Sequence, residues 1–297
     1  MRKIDLESLA FFKSVVDTGS ITQAAKQLHR VQSNVTTRIR NLEERLGVQL
    51  FLRQGNRLSL SAEGELLRGY AERLLRLSSE AESAMQARAP QGTLRLGTLE
   101  STAAARLPPV LSLFHERYPN VLIELVTGST ARLLDMVQRY EVDAAFISEP
   151  FHAPEMAIQA AFDEELVLIA ARSTADVLGL EHLRRCTVIA FPTGCSYRRI
   201  LEEWFASTGA APHRILELAS YHAIVACVAA GTGIGIMPRS ILKAVHAEPQ
   251  LQVLSLPARH AEVTTHLVWL PQHESVATEA LRQLLASDRA CESSSDR

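Results

Sequence analysis

Residues Ser20 to Gly47, SITQAAKQLHRVQSNVTTRIRNLEERLG, constrain the fold more than any other stretch, because they encode two short helices, a tight connection and then a basic, strand-prone segment. Ser20 is a strong N-cap with Gln23 at capping-box spacing, which predicts a helix from Ile21 to about Leu28. Ala24 and Ala25 keep that helix thin. A second helix is predicted from Gln32 or Ser33, with Val35, Ile39, Leu42 and Leu46 forming one apolar stripe towards the first. Ser33, Thr37 and Arg40 lie opposite that stripe. Short hydroxylic or basic side chains at such positions suit base edges and phosphates in a major groove, although a solvated helical hairpin fits the same spacing. The next segment, VQLFLRQGNRLSLSAEG, narrows the choice: two apolar runs flank Arg53, Gly55, Asn56 and Arg57, the pattern of a hairpin with a basic tip. Such a wing lays Arg53 and Arg57 along the backbone or the minor groove, where they position more than they read. Arg30, Gln32, Asn34, Thr36 and Arg38 complete the candidate DNA-contacting set.

Charge supports this placement. The 297-residue chain is long enough for two or three modest cores, and its formal net charge is -2. Residues 1–60 carry ten Lys+Arg against five Asp+Glu, a net +5, and subtraction from the totals of 31 and 33 leaves 21 against 28, a net -7. The polyanion-binding face therefore belongs to the first sixty residues. Charges interrupt the first apolar residues and no apolar run is long enough to cross a bilayer, so a cytoplasmic protein without a leader or membrane contact is expected. Cys186, Cys195, Cys227 and Cys291 form no C-x-x-C pair, which indicates neither a zinc site nor a disulfide framework.

Ser61 caps a predicted long helix reaching about Ala87. Leu67, Tyr70, Leu74, Leu77, Ala81 and Ala84 recur in steps of three and four, a heptad seam that seeks either a partner helix or the chain's own body. Ala89-Pro90-Gln91-Gly92 ends it. Beyond, TLRLG, VLIELV and DAAFIS read as strands, with helices near Ala104–Arg117 and Ala131–Tyr140 between them. A second series has ELVLIAA, TVIAF, ILELA and GIGIM, with helices near Arg198–Ser207 and His222–Ala230. This alternation implies open parallel sheets covered by helices. The strand Val263–Leu270 and the helix Ser275–Ala286 are surplus to the second series and are assigned back to the first; the tail from Ser287 is expected to be disordered.

The head resembles those of LysR-type transcriptional regulators. The shared pattern is carried by Gly19-Ser20, Thr22, Ala24-Ala25, Leu28-His29, Gln32, Thr36, Ile39, Leu42-Glu43, Leu46-Gly47, Leu50-Phe51, Arg53 and Leu60-Ser61 with Gly64. Two positions depart from its commonest form: Arg30-Val31 stands where Val-Ser is usual, adding a cation at the turn, and Ser33 stands where Pro is usual, freeing a hydroxyl. The match continues in outline through the rest of the chain. The resemblance implies an α/β protein with an N-terminal winged helix-turn-helix over 1–60, a dimerisation linker helix over 61–89 and a two-lobed, periplasmic-binding-protein-like effector domain over 92–297. Lobe I is expected at about 92–161 and 266–286, lobe II at about 162–265 and the tail at 287–297. It further implies a homodimer or homotetramer on an imperfect palindrome of double-stranded DNA, RNA polymerase as partner, no cofactor and no catalysis.

Ligands of open α/β sheets collect at the carboxyl ends of strands. Three segments put hydroxyls there: GTLEST with Ser101 and Thr102, TGSTARL with Thr127, Ser129 and Thr130, and FPTGCSYRR with Thr193, Ser196 and Arg198. Each also serves as plain helix capping. Together, and in keeping with family effector pockets, they suit a small polar or anionic metabolite, with Arg198 as counter-ion and Phe146 as apolar wall or core. The low aromatic content of 5% points the same way. Gly231, Gly233 and Gly235 follow a predicted helix and lead into a strand, the reverse of a phosphate-binding order, so Gly231 is read as a helix C-cap. His29, His115, His222 and His266 are dispersed, with no hydrolase or metalloprotease motif. A redox-sensing alternative rests on Cys186 and Cys195, nine positions apart as in the family's peroxide-sensing branch. The intervening strand Thr187–Phe191 would span roughly 15 Å, beyond the roughly 7 Å that a disulfide bridges.

Overall fold

The computed structural model describes residues 4–54, 57–86, 90–175 and 177–295, which separate into a unit ending at Arg88 and a unit beginning at Ala89. In the first unit, α1 (Leu6–Thr18), α2 (Ile21–Gln27) and α3 (Gln32–Leu46) are followed by an antiparallel hairpin of β1 (Phe51–Gln54) and β2 (Arg57–Leu60), then by α4 (Ala62–Gln86). Ser20 caps α2 by accepting the Gln23 N–H, and His29 takes the left-handed conformation (φ 52°) that turns the chain into α3. Val35, Ile39 and Leu42 are buried against Leu9, Phe12 and Val15 of α1 and Ala24 of α2, with Leu46 at the margin. Each fully buried leucine or phenylalanine in this cluster contributes roughly 1.5–3 kcal/mol. Glu43 ties helix to wing: its Oε1 accepts the N–H groups of Leu50 (2.7 Å) and Phe51 (3.2 Å).

The expected heptad seam of α4 does not run unbroken along one exposed face. Leu67 is buried in the head core with Ala71, so the start of the expected seam is already used by the chain itself. Tyr70, Leu74, Leu77 and Ala81 are exposed, as is Leu66. The side chain of Ala84 lies outside the described residues, as do Gly55, Asn56 and the side chains of Arg53 and Arg57.

The second unit comprises β3 (Gly92–Thr98), α5 (Glu100–Ala105), α6 (Leu107–Arg117), β4 (Val121–Thr127), α7 (Thr130–Gln138), β5 (Ala144–Ser148), β6 (Ala157–Ala171), α8 (Leu180–Arg185), β7 (Thr187–Ala190), α9 (Ser196–Thr208), β8 (Arg214–Glu217), α10 (Tyr221–Ala229), β9 (Ile234–Pro238), α11 (Arg239–Ala244), β10 (Leu251–Ser255), α12 (Ala258–Ala261), β11 (Glu262–Trp269) and α13 (Val276–Ser295). Strands run β4-β3-β5-β11-β6-β9-β7-β8, with β10 also on β6. The sheets are mixed rather than parallel: β11 is antiparallel to β5 and β6, and β6 is antiparallel to β9 and β10. The reason is that β6 and β11 are the two crossovers. Ala157–Glu165 pairs with β11 in the first lobe, whereas Leu166–Ala171 continues into the second lobe beside β9 and β10. The apolar pattern of the sequence marks only the second half of β6, because Asp163 and Glu164 interrupt it.

Leu281, Leu284 and Leu285 of α13 pack with Phe114 and Val110 of α6 and Leu267 and Trp269 of β11. α13 does not stop at Ala286: it runs to Ser295, with the Ser287 hydroxyl donating to the Gln283 carbonyl (3.0 Å). In the second lobe, α10 and α11 cover one face through Ile224, Val228, Ile241 and Leu242, while Ile200, Leu201 and Trp204 of α9 cover the other.

Candidate functional site

At the head, α3 begins without a side-chain cap, since Val31 holds the N-cap position, and this leaves its first N–H groups to face outward. Arg30, Gln32, Ser33, Asn34, Thr36, Thr37 and Arg40 are exposed around that terminus. The Thr36 hydroxyl donates back to the Gln32 carbonyl (3.0 Å), and Arg40 pairs with Glu44 while its side chain stays 77% exposed. An uncapped helix N-terminus ringed by amide, hydroxyl and guanidinium groups is suited to phosphates and base edges. Arg38 departs from this set. Its guanidinium donates to Glu7 of α1 (2.7 Å) and lies 5.6 Å from the Phe11 ring, so it braces α3 on α1. Val31, which no polar or basic pattern singles out, is an apolar side chain 69% exposed beside the polar face and chemically suited to a thymine methyl group.

In the second unit the two lobes enclose a cavity of about 340 Å³. The first lobe lines it with Leu99, Glu100, Ser101, Thr127, Gly128, Ser129 and Arg132; the second lines it with Phe191, Pro192, Cys195, Tyr197 and Ala219. Ser101 Oγ lies 3.4 Å from the buried Tyr197 hydroxyl, across the cleft. Ser129 caps α7 by accepting the Arg132 N–H. Burial pushes the Tyr197 phenol and the Cys195 thiol up, so both are neutral at pH 7. Burial also raises the Glu100 carboxyl, opposed by the charge of His222 and by the backbone N–H of Tyr221.

Of the predicted effector residues, Ser101, Thr127 and Ser129 line this cavity, and Thr130, Thr193, Ser196 and Arg198 line an adjoining space of about 390 Å³. Ser196 is committed to the lobe contact through the Ser148 carbonyl (2.7 Å) and Thr130 Oγ1 (2.9 Å). Arg198 is corrected from a ligand counter-ion to a structural group, because it is held by Glu202 and Glu217 and donates to the Phe191 carbonyl. Thr102 is buried within α5. Phe146 is fully buried, 5.8 Å from the Phe162 ring, and so belongs to the core and not to a ligand wall. Glu100, Arg132 and Tyr197 escape the sequence reading, although Glu100 and Arg132 stand one and three residues from Ser101 and Ser129.

A helix-turn-helix head with a wing and a two-lobed, cleft-bearing body define a ligand-responsive class of DNA-binding regulator. The chain matches the bacterial regulatory helix-turn-helix protein, lysR family, over residues 6–65 and the LysR substrate binding domain over residues 87–290. It therefore belongs to the LysR family of transcriptional regulators, and it is not an enzyme. It is 41% identical to the uncharacterised HTH-type transcriptional regulator YusT of Bacillus subtilis, covering 94% of this chain and 93% of that protein. It is 34% identical to the HTH-type transcriptional regulator GltR of Bacillus subtilis, covering 96% of each. In fold it is similar to full-length OxyR from Pseudomonas aeruginosa (TM-score 0.73, 21% identity, 97% of this chain and 96% of that one). It is also similar in fold to full-length CbnR in complex with its target DNA (TM-score 0.69, 23% identity, 96% and 99%).

Proposed function

We propose that the chain regulates transcription as a homodimer or homotetramer on an imperfect palindrome, switched by a small polar metabolite bound between the lobes of its second unit. The observation that carries this reading is the cavity itself, where Ser101 and Ser129 of one lobe face Cys195 and Tyr197 of the other. A ligand touching both lobes binds one lobe arrangement better than another, which is the condition for a shift in population. The exposed terminus of α3 reads the DNA, with Gln32, Ser33, Asn34 and Thr37 at base edges and Arg30, Arg40, Arg53 and Arg57 on phosphates. CbnR has been crystallised with its target DNA, which supports a similar docking here. RNA polymerase is the partner of such a switch, and the cytoplasm is where it meets both. Among the described residues no helix is long and apolar enough to cross a membrane.

The redox alternative gains little from the geometry. Cys186 donates to the Leu183 carbonyl, β7 stands between the two cysteines, and burial raises both thiols, which lowers the thiolate fraction that oxidation needs. The test maps the operator by genome-wide binding and then measures affinity for Thr37→Ala and Arg53→Ala. Each substitution is expected to weaken binding on the order of tenfold with thermal stability unchanged. Unaltered affinity in both would remove the assigned docking face.

A further inference from the structure

Glu100 and Arg132 both line the interlobe cavity, and they are the formally charged residues of its lining. Among the described residues neither shows a salt bridge to the other or to another side chain; Glu100 feels the charge of His222 and accepts the Tyr221 backbone N–H, and Arg132 is exposed beside the Ser129 cap. The stem of Arg132 lies along Gly128, where an added Cβ would stand 3.4 Å from Arg132 Cδ, so the glycine gives the arginine room at the end of β4. The other ionisable groups of the wall, Cys195 and Tyr197, are neutral. The lining thus sets one acidic side chain, Glu100, and one basic side chain, Arg132, around the same cavity.

This arrangement discriminates between ligand classes. A dicarboxylate would gain one cation and meet one repelling carboxylate in a partly desolvated cleft, where charge interactions are stronger than in water. An amine without a carboxylate would meet the reverse. A molecule bearing both charges satisfies both walls, and a cavity of about 340 Å³ limits it to a small one. We infer that the effector is a small zwitterion, an α-amino acid or similar amino-carboxylate, whose carboxylate is met by Arg132 with Ser129 and whose ammonium is met by Glu100. The inference rests on the reading of this cavity as the effector site, and it replaces "polar or anionic" with a definite charge pattern. Ser101 and Tyr197 are left to hydrogen-bond the remainder of the ligand.

The test is calorimetric titration of the full chain with the common L-amino acids, their N-acetyl derivatives, their methyl esters, and succinate and benzoate as simple carboxylates. An amino acid is expected to bind saturably, with N-acetylation and esterification each weakening it on the order of tenfold or more. Glu100→Gln is expected to abolish the N-acetyl penalty while keeping the ester penalty, and Arg132→Gln to do the opposite. Neither pattern would follow from a merely structural role. Binding of succinate or benzoate without any amino acid, no binding by any probe, or an N-acetyl penalty unchanged in Glu100→Gln would overturn the inference. Ala219→Trp separates the two levels, since Ala219 is an exposed residue at the cavity wall. If that variant abolishes an operator-binding response to cell metabolites, the effector site stands even when the zwitterion fails; if it does not, both fail.

Discussion

The hydroxyl of Ser196, at the start of α9 in the second lobe, lies 2.9 Å from the hydroxyl of Thr130, at the start of α7 in the first. The Ser196 hydroxyl shares its one proton between the Ser148 carbonyl at 2.7 Å and Thr130 Oγ1 at 2.9 Å, so one buried side chain serves two other buried polar groups. Ser196→Ala strands a buried carbonyl and a buried hydroxyl. It is expected to cost the second unit about 1–3 kcal/mol, read as a lower urea midpoint of its transition. A midpoint equal to that of the parent protein would show that the lobes are not held here.

Gly64 in the first turn of α4 is a close-approach glycine, not a flexible one. A Cβ there would stand 2.2 Å from the Leu50 carbonyl oxygen and 2.8 Å from a Leu60 methyl group. The Leu50 carbonyl also accepts the Ser61 N–H, so it cannot retreat without losing that bond. Gly64→Ala is therefore expected to destabilise the head by about 2–4 kcal/mol and to lower operator affinity in step with the folded fraction. Near-parental stability of the head would mean that the wing and α4 can separate without penalty.

How much of this was legible in the sequence depended on whether the signal was local. Ser20, Ala24 and the Val35–Ile39–Leu42 stripe announce the head because capping and helical periodicity act over a few residues. Gly64 was visible as a pattern position, but its reason, the Leu50 carbonyl, lies across the chain. The same holds for the body. Its strands and helices alternate legibly, yet the antiparallel crossovers β6 and β11 depend on distant pairings such as Glu165 with Glu262. Arg198 resembled an anion receptor at a helix start, and the approach of Glu217 from the end of β8, added to the Glu202 one turn on, shows it to be occupied. Glu100 and Arg132 were in plain sight as charges, but nothing local says that two separate helices aim them at one cavity.

Asp5 caps α1 and receives a hydrogen bond from Arg45 Nη1 at 2.7 Å; with the Ser8 N–H, that guanidinium holds its carboxyl down at about 2, from an ordinary 3.8. A folded pKa below the unfolded one means that folding favours the carboxylate. The stabilisation is complete above the unfolded value of 3.8 and is lost as pH falls through about 2. Asp5 is 42% exposed on its side chain, so solvent screening keeps the contribution to about 1 kcal/mol or less. Asp5→Asn keeps a capping oxygen and loses the charge. Its head should be slightly less stable than the parent's at pH 7, with the deficit shrinking between pH 4 and pH 2. A deficit that grows on acidification contradicts the assignment.

Along α4, Tyr70, Leu74 and Leu77 recur at steps of four and three, and they are 51%, 42% and 49% exposed. Leu67 and Ala71, on the adjoining face, are buried in the head core, so the helix presents two different apolar faces. The buried face fixes the helix to its own head; the exposed one is free to meet a second copy in register, as a coiled-coil seam does. Replacing Leu74 and Leu77 together with Glu puts like charges face to face at such a seam while touching nothing in the head core. The expected outcome is a monomer in sedimentation experiments, with the thermal transition of the head retained and affinity for a two-half-site operator reduced towards that for a single half-site. A variant that still sediments as the parent does would place the subunit contact elsewhere, and one that loses the head's transition would mean that this face packs within the chain after all.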